Sequence, residues 1–172
     1  MYLKTERLIL KPMCREYLNS THEYAGDPEN ARLMLFLPNE NIEETLKSII
    51  RAENEFKKDF PMFYEMAVFY NNIHIGSVDM YINDERNSAE IGWIINKKYQ
   101  GNGFAPEAAE SLIMYAVNTL DIKHFTAHCD TENVSSRKVM EKLGMSLKGE
   151  SGGRKNKLSP QIRREYTFEL DF

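Results

Sequence analysis

Three consecutive stretches, Met62 to Tyr70, Ile73 to Ile82 and Ala89 to Ile95, repeat with a period of two, separated only by Asn71-Asn72 and by the polar run Asn83 to Ser88. This spacing predicts three antiparallel strands joined as a meander. The third strand runs through a short polar loop with glycines at Gly101 and Gly103 directly into Ala105 to Leu120. There Ala108, Ala109, Leu112, Ile113, Ala116 and Leu120 follow helical spacing, and Pro106 occupies a first-turn position that tolerates proline. A meander delivered straight into a glycine turn and a long helix excludes an all-helical chain and a coiled coil.

The remaining segments fit around this unit. Glu6 to Pro12 alternates and reads as a strand ended by Pro12, and a polar helical stretch follows. After the Asp27-Pro28 break comes a short apolar segment, Ala31 to Leu37, and then Asn41 to Phe60, a helix by the spacing of Ile42, Leu46, Ile49, Ile50, Glu53 and Phe56. Phe125 to Cys129 is a short strand, Asn133 to Leu143 a helix closed by Gly144, and Met145 to Lys148 and Arg164 to Leu170 are closing strands. The expected class is therefore α+β, a mixed and mostly antiparallel sheet flanked by helices, rather than a doubly wound parallel sheet. With 172 residues and no repeat, low-complexity tract or linker, one domain over 1–172 is expected.

No apolar run approaches a membrane span and the start carries no long apolar segment of a signal peptide, so a cytoplasmic chain with no membrane partner is expected. Cys14 and Cys129 form no CxxC pair and have no zinc-like histidine spacing, which predicts reduced thiols and neither a disulfide framework nor a metal. The net charge of -4 speaks against a nucleic-acid partner. From Lys148 to Arg164, however, six basic residues face one acidic one. That segment reads either as a solvated loop or as a patch for an anionic group.

The chemistry concentrates in Trp93 to Ala109, WIINKKYQGNGFAPEAA. Glycines let a backbone approach a ligand closely, and the unpaired amides from Gly101 to Ala105, at the positive end of a helix, suit a phosphate or pyrophosphate. The loop is neither a Walker A motif nor the three-glycine dinucleotide fingerprint. Gln100-x-x-Gly103-x-Ala105 resembles the acyl-CoA pyrophosphate loop of the GNAT acetyltransferase superfamily. Thr5 to Pro12, EIGWIINKKYQGNGFAPEA and ENVSSRKVMEKLGM add a resemblance to its RimJ/RimL-like branch, which includes acetyltransferases of ribosomal-protein N-termini.

The resemblance implies acetyl-CoA as co-substrate. The backbone of Trp93 and Ile95 would pair with the pantetheine arm, and amides of Gln100, Gly101, Asn102, Gly103, Phe104 and Ala105 would hold the pyrophosphate. Asn133 would contact the arm and Ser136 would approach the sulfur. Asn133 also fits a helix N-cap, and Ser136 an ordinary first-turn serine. Many members carry a tyrosine four residues after this serine, to protonate the departing thiolate. Here that position is Met140, which leaves Ser136, or a water it holds, as the substitute donor.

Attack on a thioester needs a neutral amine. At pH 7 that costs a lysine-type amine about 4.6 kcal/mol and an α-amine about 1 kcal/mol, which makes an N-terminal amine the easier acceptor. Glu90, at the start of the third meander strand, is the candidate base or water-holder. Asp79 and Tyr81 are placed where they could line an acceptor cleft, and His22, His74, His124 and His128 show no nucleophile–base pattern. The expected activity is acetyl transfer to a primary amine, a protein or peptide N-terminus or a small amine, in a ternary complex, with a homodimer possible. The alternative is a non-catalytic acyl-CoA sensor, suggested by Met140.

Overall fold

A computed structural model describes residues 1–172. Eight strands form one sheet: β1 (Leu3–Lys4), β2 (Leu8–Pro12), β3 (Phe63–Tyr70), β4 (Ile73–Ile82), β5 (Ser88–Ile95), β6 (His124–Asp130), β7 (Ser146–Arg154) and β8 (Arg163–Asp171), in spatial order 1-2-3-4-5-6-8-7. Four helices flank it: α1 (Leu18–Ala25), α2 (Ile42–Glu55), α3 (Phe104–Leu120) and α4 (Val134–Lys142). All pairings are antiparallel except β5 with β6.

The meander forms as its alternation requires. Asn71 and Asn72 both take positive φ, 48° and 64°, in the two-residue β3–β4 turn, a conformation asparagine tolerates. Further along the same ladder Ile75 is an extra residue on β4, so that Phe69 faces His74 while Val68 faces Gly76. One face of the sheet packs Tyr64, Met66, Val68, Val78, Met80 and Ile91 together with Ala108, Ala109, Leu112, Ile113 and Ala116 of α3 in the main core. The opposite face is covered in two patches, Phe63 and Ala67 by Ile49 and Ala52 of α2, and Ile94 by Tyr24 and Ala25 of α1.

Several boundaries differ from those expected. The first strand begins at Leu8 rather than Glu6, because Thr5 closes a turn on Leu8 that admits β1 as an extra edge strand. Helix α2 starts where Asn41 caps the Glu44 amide at 2.9 Å, but ends at Glu55 rather than Phe60, which is 75% exposed. Phe63 stacks on Tyr81, whereas Tyr64 packs on Phe56 across the sheet. Residues 31–37 form turns and bends without a regular element. Strand β7 continues six residues past Lys148, through glycines accommodated by two irregularities in its ladder with β8.

The Lys148 to Arg164 segment is mostly exposed, as a strand end, a loop over 155–162 and the start of the next strand, rather than as one loop. Five of its six basic side chains are in ion pairs: Lys148 with Glu169, Arg154 with Glu165, Lys157 with Glu44, Arg163 with Asp130 and Glu132, and Arg164 with Glu150. Asp130 is fully buried, and it also accepts from Asn156 at 2.6 Å. Burial alone would raise its carboxyl, but the hydrogen bonds from Arg163, the Glu132 amide and Asn156 outweigh this and hold it below the ordinary range. The hairpin is thus clamped onto β6 by its own charges. No helix is long and apolar enough to cross a membrane.

Candidate active site

Strands β5 and β6 pair only over Ser88–Glu90 and His124–Thr126 and then part. The register of β5 on β4, with Asn96 donating to Ile75 and Asn83 to Ser88, commits the backbone groups of Glu90, Gly92 and Ile94 to β4. Antiparallel ladders alternate, so those of Trp93 and Ile95 point the other way, into the gap left by β6. A cleft of about 630 Å³ opens there between β5, the loop before α3, the start of α4 and residues 29–34.

The loop is rigid for identifiable reasons. Asn96 caps a short turn by accepting from the Lys98 amide at 3.1 Å, and the Gln100 side chain donates to the Ile95 carbonyl at 2.8 Å and to Asn30 at 3.0 Å. Gly101 and Gly103 adopt φ of 80° and 78°, where a side chain would be strained. Asn102 turns its amide group back to the Tyr99 and Gln100 carbonyls, and its own carbonyl accepts from Arg7 at 3.0 Å. Arg7 is fixed in turn by Glu107 and lies over the Phe104 ring, 4.8 Å from its centroid. Although burial works against it, the Glu107 carboxyl is kept below its ordinary value by hydrogen bonds from Thr5 and Arg7.

The result is a cradle. The amides of Gly101, Asn102, Gly103, Phe104 and Ala105 donate to no protein acceptor, and they sit at the positive end of the 17-residue helix α3. Three cations line the same cleft without an acidic partner, Arg32, Lys138 and Lys142, whereas Lys97, also at its wall, is held by Asp27 and Glu29. Amides, helix end and free cations together make an anion site beside Trp93 to Ile95 of β5.

Of the residues singled out from sequence, Trp93, Ile95, Gln100, Gly101, Gly103, Phe104, Ala105, Asn133 and Ser136 all line this cleft. Gln100 takes part with its side chain, since its amide already donates to Lys97. The Ile95 carbonyl is occupied by Gln100, which leaves its amide and both groups of Trp93. The Asn102 side chain is turned into the loop and does not line the cleft. Asn133 is an N-cap, its Oδ1 accepting from the Ser136 amide at 3.1 Å and from the Ser135 hydroxyl at 2.8 Å, and it faces the cleft as well. Met140 is 1% exposed in the main core and reaches no part of the cleft.

Glu90 lies outside the cleft. Its side chain belongs to the face that looks toward α1 and α2, where it is exposed beside Tyr81. Burial lowers the His74 imidazole to about 4, so it stays neutral among Tyr17, Tyr24 and Phe69, and burial raises the Cys129 thiol to about 11. Sequence reasoning missed Arg32, Lys138 and Lys142. The i,i+4 spacing of the two lysines on a helix that begins at Asn133 was the available signal.

Residues 7–146 match the sequence profile of the acetyltransferase (GNAT) domain. The chain belongs to the GNAT acetyltransferase family. It is therefore an acetyl-CoA-dependent enzyme of acetyl transfer. Among relatives, an uncharacterized N-acetyltransferase of Bacillus subtilis, YnaD, is 28% identical over 151 residues, which cover 87% of this chain and 85% of that one. The fold is shared with RimL, the ribosomal L7/L12 alpha-N-protein acetyltransferase solved with coenzyme A, at a TM-score of 0.90 and 17% identity over 100% of this chain and 98% of that one. It is also shared with a spermidine N-acetyltransferase of Vibrio cholerae solved with CoA and spermine, at 0.82 and 20% identity over 97% and 96%. For this GNAT member, the cradle before α3 lies in the stretch that carried the family resemblance.

Proposed function

We propose that this protein, as one domain over residues 1–172, transfers the acetyl group of acetyl-CoA to a primary amine directly within a ternary complex. The observation that carries the reading is the set of five unpaired amides at the start of α3, set against the parted β5 edge. In this reading they hold the pyrophosphate, while Arg32, Lys138 and Lys142 neutralise phosphate charge. The amide and carbonyl of Trp93 and the amide of Ile95 hydrogen-bond the pantetheine arm as a missing β6 neighbour would. Asn133 steadies the arm from α4, and Ser136 or a water on it gives a proton to the leaving thiolate, since Met140 is locked in the core.

The amine comes from the opposite side, the face of β3–β5 that looks toward α1 and α2, where Glu90 stands on the rim. RimL and the spermidine enzyme are named for a protein N-terminus and a small polyamine respectively. Both are primary amines, which supports that class and leaves the two sources to experiment. The non-catalytic sensor reading is not favoured by membership in a family of N-acetyltransferases.

The test is initial-rate kinetics of thiol release with acetyl-CoA and, in turn, spermidine and peptides with free N-terminal serine. Intersecting double-reciprocal lines with an acetylated amine in the mass spectrum are expected. Parallel lines would reveal an acyl-enzyme and overturn direct transfer.

A further inference from the structure

The α1/α2 face of the sheet carries an arrangement that the cleft does not use. Glu65 on β3 stands directly opposite Asp79 on β4, and Asp79 directly opposite Gly92 on β5. Both carboxyls are half-buried, and neither is in an ion pair or a hydrogen bond. The Asp79 carboxylate rests on the bare backbone of Gly92: a Cβ there would lie 2.8 Å from one of its oxygens and 2.9 Å from the other. Gly92 is two residues beyond the last β5–β6 pair, so this carboxylate lies across β5 from the stretch that has parted from β6, on the α1/α2 face and outside the lining of the cleft.

A second observation points to the same place. Tyr24 is 2% exposed, and its hydroxyl is buried with no hydrogen-bond partner. Ser77 and Thr21 are its polar neighbours, and the charges of Glu65 and Asp79 act on it. A buried hydroxyl is unfavourable unless something fills its lone pairs or takes its proton, and two carboxyls facing one another across a ladder cannot both ionise readily. One group removes both penalties. A primary ammonium has three N–H donors, enough for Asp79, Glu65 and the Tyr24 oxygen.

We propose that Asp79 and Glu65, with the Tyr24 hydroxyl, seat the ammonium of the acceptor amine, and that Asp79 takes its proton before attack. This rests on the acetyl-transfer reading above. The step balances: the ammonium gives one proton to the Asp79 carboxylate, and the neutral nitrogen forms the C–N bond to the thioester carbonyl as the C–S bond breaks. The thiolate receives the second nitrogen proton through Ser136 or its water, giving the amide and CoA thiol. Electrostatics suit the task. Burial and then the Glu90 charge raise the Asp79 carboxyl to about 7, and burial and then Asp79 raise Glu65 to about 8, with Arg51 of α2 opposing from its place over the Phe63 ring. Tyr81, next along β4 on this face, is itself raised to about 12 and stays neutral. An ordinary carboxylate near 4 would be a poor acceptor for an amine proton at neutral pH, whereas this one is matched to it.

Two measurements test the seat. In the wild-type protein, ¹³C NMR titration of the carboxyls, with and without millimolar 1,4-diaminobutane, needs no acetyl-CoA. The expected result is Asp79 and Glu65 titrating near neutrality and moving down by about one unit or more when the diamine is added. Carboxyls that all titrate in the ordinary acidic range, or midpoints indifferent to the diamine, would overturn the seat. In the second, Asp79→Asn is expected to lower kcat/KM by about 100-fold and remove the near-neutral limb of its pH profile, with acetyl-CoA affinity unchanged. Glu65→Gln and Gly92→Ala, which displaces the carboxylate, should act mainly on KM for the amine. An Asp79→Asn enzyme with wild-type kcat/KM and the same limb would refute the proton transfer. Spermidine and N-terminal-serine peptides as acceptors tell which source supplies the ammonium. Midpoints that move with the diamine in an enzyme that acetylates no amine would sink the transfer reading and leave the seat standing; turnover with silent midpoints would do the reverse.

Discussion

Asparagine in place of Asp79 should make the protein more stable in mild alkali while it disables the enzyme. A carboxyl whose folded value lies above its unfolded one binds more protons in the native state, so it destabilises the fold progressively as pH rises from the unfolded value through the folded one. For Asp79 that window runs from near 4 to about 7. Three units correspond to about 4 kcal/mol at 1.36 kcal/mol per unit, and partial exposure, with part of the effect shared with Glu65, reduces this to roughly 2 kcal/mol. For a chain of this size that is a rise in Tm of about 4–8 °C at alkaline pH. Calorimetry of both proteins across the acid-to-alkaline range is the assay, and the two melting curves should converge toward pH 4. An Asp79→Asn protein equally or less stable at high pH would refute the reasoning, because the carboxylate would then be satisfied in the native state.

Three other substitutions probe other parts of the account. Asn133→Ala should cost about 1 kcal/mol through the lost cap and also weaken acetyl-CoA, whereas Asn133→Ser should keep the stability and still lose affinity. Calorimetry beside a binding isotherm separates the two roles, and wild-type affinity in the serine variant would reduce Asn133 to a cap. Met140→Tyr should destabilise by about 1–3 kcal/mol through overpacking without raising turnover, since the position faces the core; a faster enzyme would contradict that placement. Asp130→Ala should cost about 1–3 kcal/mol in denaturant titrations by removing the buried acceptor of Asn156 and one of the two carboxylates on Arg163. Because the Asp130 carboxyl is depressed, its stabilisation is present above the ordinary aspartate value and lost as pH falls below it, so an alanine variant with the wild type's acid transition would argue against the clamp.

The sequence carried the meander, the α3 helix and the cradle because each rests on local rules. Alternation, a two-asparagine turn, two glycines before a helix and a capping asparagine can all be recognised within a few residues. The Glu65–Asp79 pair could not. A strict two-residue hairpin at Asn71-Asn72 puts Glu65 opposite Val78, and only the extra residue Ile75, a bulge whose one local sign is the glycine that follows it, brings Asp79 across from it. The same limit applies to Arg32, whose turn reaches the cleft by tertiary packing, and to β1, a strand of two residues. The Lys148 to Arg164 segment misled in the other direction. Its charge stood out in the sequence, but Asp130, Glu165 and Glu169, which cancel much of it, lie on β6 and β8 and meet it only through the sheet.

The central claim is that the five amides before α3 and the parted β5 edge hold acetyl-CoA. Thermal denaturation of the full chain in a titration of acetyl-CoA, beside CoA and NADH, tests it most directly. At a ligand concentration 100 times Kd the account predicts about 2.7 kcal/mol of stabilisation, hence a rise of about 5–10 °C with acetyl-CoA and with CoA, and none with NADH. No rise with acetyl-CoA well above micromolar concentration, or an equal rise with NADH, would contradict it.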